Sequence, residues 1–332
     1  MFLIMAVLMM LWRLLFPVLS HAQISPQLIE AAKKEGEVVF YGAITVSLAK
    51  RIGDLFEKKY GIPVKHWRGD ATEIVNRVIT EARAGRPTFD ATLGNEAVMQ
   101  ALDEKNLLGV FDPPAAKGYP KQFRDPDMRM TAWRVLPFGI NYNHQMLKSA
   151  EAPKTYDELL MPKWKGKFGL ANPGIHVTTL QFVLSLEKLY GAKWLNLVEG
   201  WAKQEPRIAK GLAEVIPPMT SGEVPLSIGY IKDKFQYQGP IEYVRMSKYL
   251  ASVGFIGVNR QAPHANAAKL FTDYFLSAEP QRVFGETGEY VFHPEVDHKF
   301  KKDVSYDQIV AMRLPTSEEK ESWSKKFREM FR

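Results

Sequence analysis

Val38-Val39-Phe40-Tyr41 is an unbroken apolar run closed by Gly42. A strand covered on both faces reads this way, so the run predicts a buried parallel strand. Downstream the apolar spacing becomes helical at Leu48, Ile52, Leu55 and Phe56, with Gly61 as the stop. Residues 62–67 form a second strand. Asp70 and Glu73 then make a capping box for a helix carrying Ile74, Val75, Val78, Ile79 and Ala82, which Gly85 closes. A third strand follows over 89–93, and Asn95 caps a third helix through Val98, Met99 and Leu102. Upstream, Ser25-Pro26 starts a short helix over 27–34 that ends at Gly36. The β-α-β-α-β-α order implies an α/β fold with a parallel sheet and right-handed crossovers. Ligands of such sheets sit at the carboxyl ends of strands, where strand order reverses. The loops 42–45 and 94–96 are therefore the first candidate site.

The remaining chain continues the pattern. Residues 133–143 read as a long strand, 168–171 as a short one leading into Asn172-Pro173-Gly174, 226–230 and 252–258 as two more, and 263–276 as a helix. The first 22 residues are almost wholly apolar and end in Ser20-His21-Ala22, a small-x-small cleavage pattern, so they read as a signal peptide cut before Gln23. Arg13 interrupts this run. A start at Met9 or Met10 puts that charge near the N-terminus, where a leader carries it. About 310 residues then remain, enough for two domains. The sequence has no cysteine, which excludes disulfides, thiolate metal sites, thiol catalysis and a lipid anchor on an N-terminal Cys. Net charge is +7, but the basic residues mostly alternate with acids and no basic block interleaves with aromatics, so a nucleic-acid partner is not expected.

Several words of the sequence occur together in one order. They are Glu37-Val38-Val39-Phe40-Tyr41, the stretch 81–90 (EARAGRPTFD), Ile140-Asn141-Tyr142-Asn143, the stretch 152–160 (APKTYDELL) with 162–167 (PKWKGK), and Ser221-Gly222-Glu223-Val224-Pro225-Leu226. In this respect the chain resembles the solute-binding proteins of ABC importers, in the ferric-iron-binding-like group of the type II periplasmic-binding fold. The resemblance implies two α/β lobes, each a mostly parallel sheet flanked by helices, closing on a ligand by hinge motion. Lobe 1 would be 24–136 plus 252–292, and lobe 2 would be 137–251 plus 293–332. It also implies a periplasmic, monomeric protein that carries no cofactor, catalyses nothing and delivers its solute to an ABC permease in the inner membrane. No Gly-x-Ser-x-Gly or His-Glu-x-x-His motif speaks for an enzyme. A ligand-sensing module for a membrane receptor would use the same cleft.

Iron-binding members use a His or Gln after the first strand, a Glu after the third and two adjacent tyrosines in the second lobe. Here the first loop is Tyr41-Gly42-Ala43-Ile44-Thr45, with Thr45 where the imidazole would fall. Asn95 or Glu96 matches the Glu, and the tyrosine pair becomes Tyr230-Ile231. That set is short of the oxygen ligands Fe(III) needs, which leaves ferric ion as the alternative substrate. An anion suits the residues better. Asn172, His176, Thr178 and Thr179 surround a helix start, where free N–H groups and hydroxyls bind carboxylate or phosphate. Arg68, after the second strand, is a candidate clamp, and Tyr230 a candidate cleft donor. The expected solute is a small anionic or zwitterionic organic molecule.

Overall fold

The computed structural model describes residues 24–331, and the expected leader lies outside the described residues. Helix α1 (Pro26–Glu35) leads into β1 (Val38–Gly42), α2 (Val46–Tyr60), β2 (Val64–Arg68), α3 (Ala71–Arg83), β3 (Ala91–Asn95) and α4 (Glu96–Glu104). The capping predictions hold in detail. Ser25 accepts from the Leu28 amide, Asp70 and Glu73 form a reciprocal box, and Asn95 accepts from Val98. The third strand starts two residues later than expected. The Asp90 carboxylate takes the Val39 amide at 2.8 Å, standing in for a ladder bond, so β1–β3 pairing begins at Phe40 opposite Ala91.

Beyond β4 (Thr131–Asn143) come β5 (Phe168–Ala171), α5 (Val177–Ser185), α6 (Trp194–Lys203), β6 (Arg207–Ala209), β7 (Leu226–Tyr230), β8 (Ile241–Tyr243) and β9 (Tyr249–Val258). The chain closes with α7 (Ala265–Leu276), α8 (Ala278–Glu286), β10 (Tyr290–Val291), β11 (Ile309–Ala311) and α9 (Ser317–Met330). The strands run in the order β2-β1-β3-β9-β4-β7-β5-β6. β1 is parallel to β2 and β3, and β5 is parallel to β6 and β7, whereas β9 and β4 join these groups in antiparallel register. β4 pairs with β9 over its first half and with β7 from Phe138 onward. It therefore passes from one sheet half into the other, while β9 lies antiparallel to it and pairs with β3 and β11.

The β4–β9 register slips by one residue between Ala132 and Arg134. This bulge carries Trp133 as the extra residue and re-aims the side chains after it. Trp133 enters the core against Phe275 and Phe284, while Arg134 and Leu136 face the space between the sheet halves. Gly254 stands opposite Arg134, where an added Cβ would lie 3.0 Å from the arginine Cγ and Nε.

The C-terminal segment spans both halves. β11 pairs with the start of β9, and α9 packs on α5 with Trp323 set edge-on to Trp194.

Candidate functional site

Side chains from both sheet halves meet in one cleft beside β4 and β9. An inner cavity of about 160 Å³ is walled by Leu93, Val98, Trp133 and Leu136. Its polar atoms come from Asn95, Arg134, Thr178, Tyr230 and Ser252. A wider chamber of about 440 Å³ adjoins it, sharing Ala43, Ile44 and Arg134, and adds Thr45, Ser47, Arg51, Lys232 and Glu289. A larger cavity of about 630 Å³ lies elsewhere, lined by residues such as Tyr60 and Asp273 and by none from β4 to β9, so closure of the two sheet halves cannot enclose a solute there.

Arg134 anchors the charge of the cleft. Its Nη1 donates to Glu289 Oε1 at 2.8 Å, and Lys232 Nζ reaches the same oxygen at 3.2 Å. Two cations thus share one carboxylate, and the Glu289 side chain is only 5% exposed. Burial works against ionising Glu289, but the flanking Arg134 and Lys232 outweigh it and hold the carboxyl below its ordinary range. Burial pulls the Lys232 ammonium down from its usual value, with Glu289 opposing. Arg134 Nε and Glu289 Oε2 are buried without a hydrogen-bond partner. A bound solute or water would satisfy such atoms.

The residues expected at the site from sequence divide into two groups. Thr45, Asn95, Thr178 and Tyr230 line the cleft. Thr45 and Asn95 also cap α2 and α4, which fixes their side chains. Burial lifts the Tyr230 phenol well above its ordinary pKa, so it stays protonated and can donate. Glu96 sits beside the cleft with its carboxylate turned to β9. It accepts from the Val253 amide at 2.6 Å and from Ser252 Oγ at 3.3 Å. Burial pushes its carboxyl up to about 7, against those hydrogen bonds.

The others do structural work elsewhere. Tyr41 is buried against Phe89 and Trp67, its hydroxyl bonded to Glu81 and Thr88. Arg68 ends β2 as an exposed side chain and lines neither cavity. The helix expected after Asn172-Pro173-Gly174 begins at Val177, with His176 as its N-cap. His176 Nδ1 accepts from the Thr179 amide, which requires a neutral ring, and burial lowers its pKa further. It is therefore not a cationic anion donor. Thr179 is buried against that ring at 2.8 Å. Asn172 closes its own turn onto Gly174 and reaches the Phe331 carbonyl. Gly174 lies so close to Ser324 and Arg328 that α9 occupies the space expected for an anion. Sequence reasoning missed Arg134, Lys232 and Glu289. One signal was there: an arginine inside the otherwise apolar stretch Trp133-Arg134-Val135-Leu136.

The model of the family described as bacterial extracellular solute-binding protein matches residues 52–304. The chain belongs to this family. The family is one of extracellular solute-binding proteins, and this solute-binding protein is a binding protein rather than an enzyme. A Haemophilus influenzae protein described as uncharacterised is 24% identical over 78% of both chains. The Fe(3+)-binding periplasmic protein of Serratia marcescens is 26% identical over 60% of this chain and 59% of its own. Iron-bound HitA from Pseudomonas aeruginosa superposes with a TM-score of 0.70 at 17% identity, covering 89% of this solute-binding protein and 99% of HitA. AfuA from Actinobacillus pleuropneumoniae, with fructose-6-phosphate bound, superposes at 0.66 with 20% identity, over 89% and 96%. These two likenesses show the shared periplasmic binding-protein fold.

Proposed function

We propose that this protein captures a small anionic or zwitterionic organic solute between its two sheet halves and delivers it to an ABC permease in the inner membrane. One observation carries the reading. Arg134, on a crossing strand, lines both compartments of the cleft and shares with Lys232 the one carboxylate it pairs with among the described residues. The cluster keeps a surplus positive charge in a partly desolvated place, where an anion is attracted more strongly than in water. Tyr230 and Thr178 add hydroxyl donors from one side, and Asn95 and Ser252 add polar groups from the other.

Calorimetry with carboxylates, phosphomonoesters, phosphonates and amino acids tests this. At least one anionic class should bind, and Arg134→Met should weaken it by roughly 10- to 150-fold, the equivalent of a hydrogen bond to a charged group. Ferric ion is the second reading, favoured by the Serratia relative and by the phenol of Tyr230 in the cleft. The neighbouring Ile231 is fully buried and offers no second oxygen. A stable coloured 1:1 complex on adding ferric citrate, with no organic anion bound, would replace the first reading by the second.

A further inference from the structure

The two compartments of the cleft differ in kind. The inner one is small, and its walls are mainly Leu93, Val98, Trp133 and Leu136. The outer one is nearly three times larger, at about 440 against 160 Å³, and is ringed by Arg51, Arg134 and Lys232. It also receives the start of α2, a helix of 15 residues whose first turn presents Thr45 and Ser47. Helix starts favour anions through their free N–H groups and macrodipole.

Arg51 is balanced by Glu286 at 3.0 Å, so its charge adds little. Arg134 and Lys232 are not balanced, because both depend on Glu289 Oε1. Asp233, beside Lys232, restores neutrality only in part, since burial pushes its carboxyl up to about 7. Glu289 also lines this chamber, its side chain 95% buried and its Oε1 shared by the two cations.

We propose that the outer chamber is an oxyanion subsite and the inner cavity a body subsite. The solute would then be a two-part molecule, with an oxyanion head and a compact, uncharged body pointing inward. The assignment rests on the reading of the cleft as an anion site and adds the direction in which the solute lies. The head meets Lys232, Arg134, Ser47 and the α2 amides. The body meets Leu93, Trp133 and Leu136, with Thr178 and Tyr230 bonding to its oxygens.

Inorganic phosphate, a head without a body, and glycerol 3-phosphate, a head with one, separate the compartments by calorimetry. Phosphate should bind the wild-type protein weakly and the ester more tightly. Ser47→Asp should abolish binding of both while leaving the fold sound, because an exposed carboxylate in the first turn stabilises a helix. Lys232→Met should weaken phosphate roughly 10- to 150-fold. Thr178→Val should leave phosphate unchanged and weaken only the ester. Retention of phosphate by Ser47→Asp, its loss with Thr178→Val, or no binding of phosphate at all overturns the assignment. If Arg134-dependent binding of another anion survives in that case, the proposed function stands and only the orientation is wrong. If no organic anion binds, both fall.

Discussion

Glu96 shows how one side chain can hold a cleft in shape without touching what enters it. Both of its carboxylate oxygens are taken by β9, yet burial lifts its pKa to about 7. A carboxyl raised on folding binds its proton more tightly in the folded state. Stability is therefore full below the unfolded value near 4.5 and falls as pH rises toward 7, by about 1.4 kcal/mol per unit for one such group. Asp233, raised to about 7, and Asp273, raised to about 6, act with the same sign. Thermal melts from pH 4 to 8 should show Glu96→Gln level with wild type at pH 4 and more stable at pH 8, with a shallower slope between. Parallel pH profiles for the two proteins would refute the burial argument. Asn95 and Glu96 could be picked out from sequence because a strand-end loop is recognisable, but the direction of the carboxylate is set by β9, more than 150 residues away in the chain. Arg134 escaped notice for a related reason. Inside an apolar strand its role depends on a bulge, and a bulge is a property of the pairing rather than of the strand.

At the scale of elements, local signals were most reliable where the cause is local. The capping residues Ser25, Asp70 and Asn95 were legible because a cap involves residues three apart. The short strands β6, β8, β10 and β11 were not, since each exists only through a partner already in place. Asn172, expected beside an anion-binding helix start, lies in a turn whose Gly174 forms the seat of α9. A Cβ on residue 174 would come within 2.6 Å of the Arg328 amide nitrogen and 2.8 Å of the Ser324 carbonyl. Those are backbone atoms, so the helix itself would have to move. Gly174→Ala should lower unfolding stability by about 1–3 kcal/mol in urea titration, as overpacking does, with anion affinity unchanged. Lost affinity at unaltered stability would return this loop to the binding site.

Across the whole molecule, the periplasmic binding-protein fold could be read from sequence through the ordered words of the resemblance, and the structural neighbours agree with it. The solute's orientation could not, because Thr45, Arg134, Thr178, Lys232 and Glu289 come from five separate segments. A solute held between the halves stabilises only the closed form. At 100 times its dissociation constant it adds about 2.7 kcal/mol of stability. X-ray scattering should show a smaller radius of gyration with the bound anion than without, and equal radii would place the ligand outside the cleft. The way the halves move follows from the ladder between β4 and β9, which stay hydrogen-bonded to each other from Thr131 to Pro137. Two strands tied along their length cannot swing as separate pins, but they yield readily to twisting. If the halves open, the ladder makes a rotation about this ribbon the easy motion, and a residue on the ribbon then lies close to the pivot. Arg134 would then move less than the walls around it, so a change at this residue would alter the affinity of the cleft more than the range of its opening.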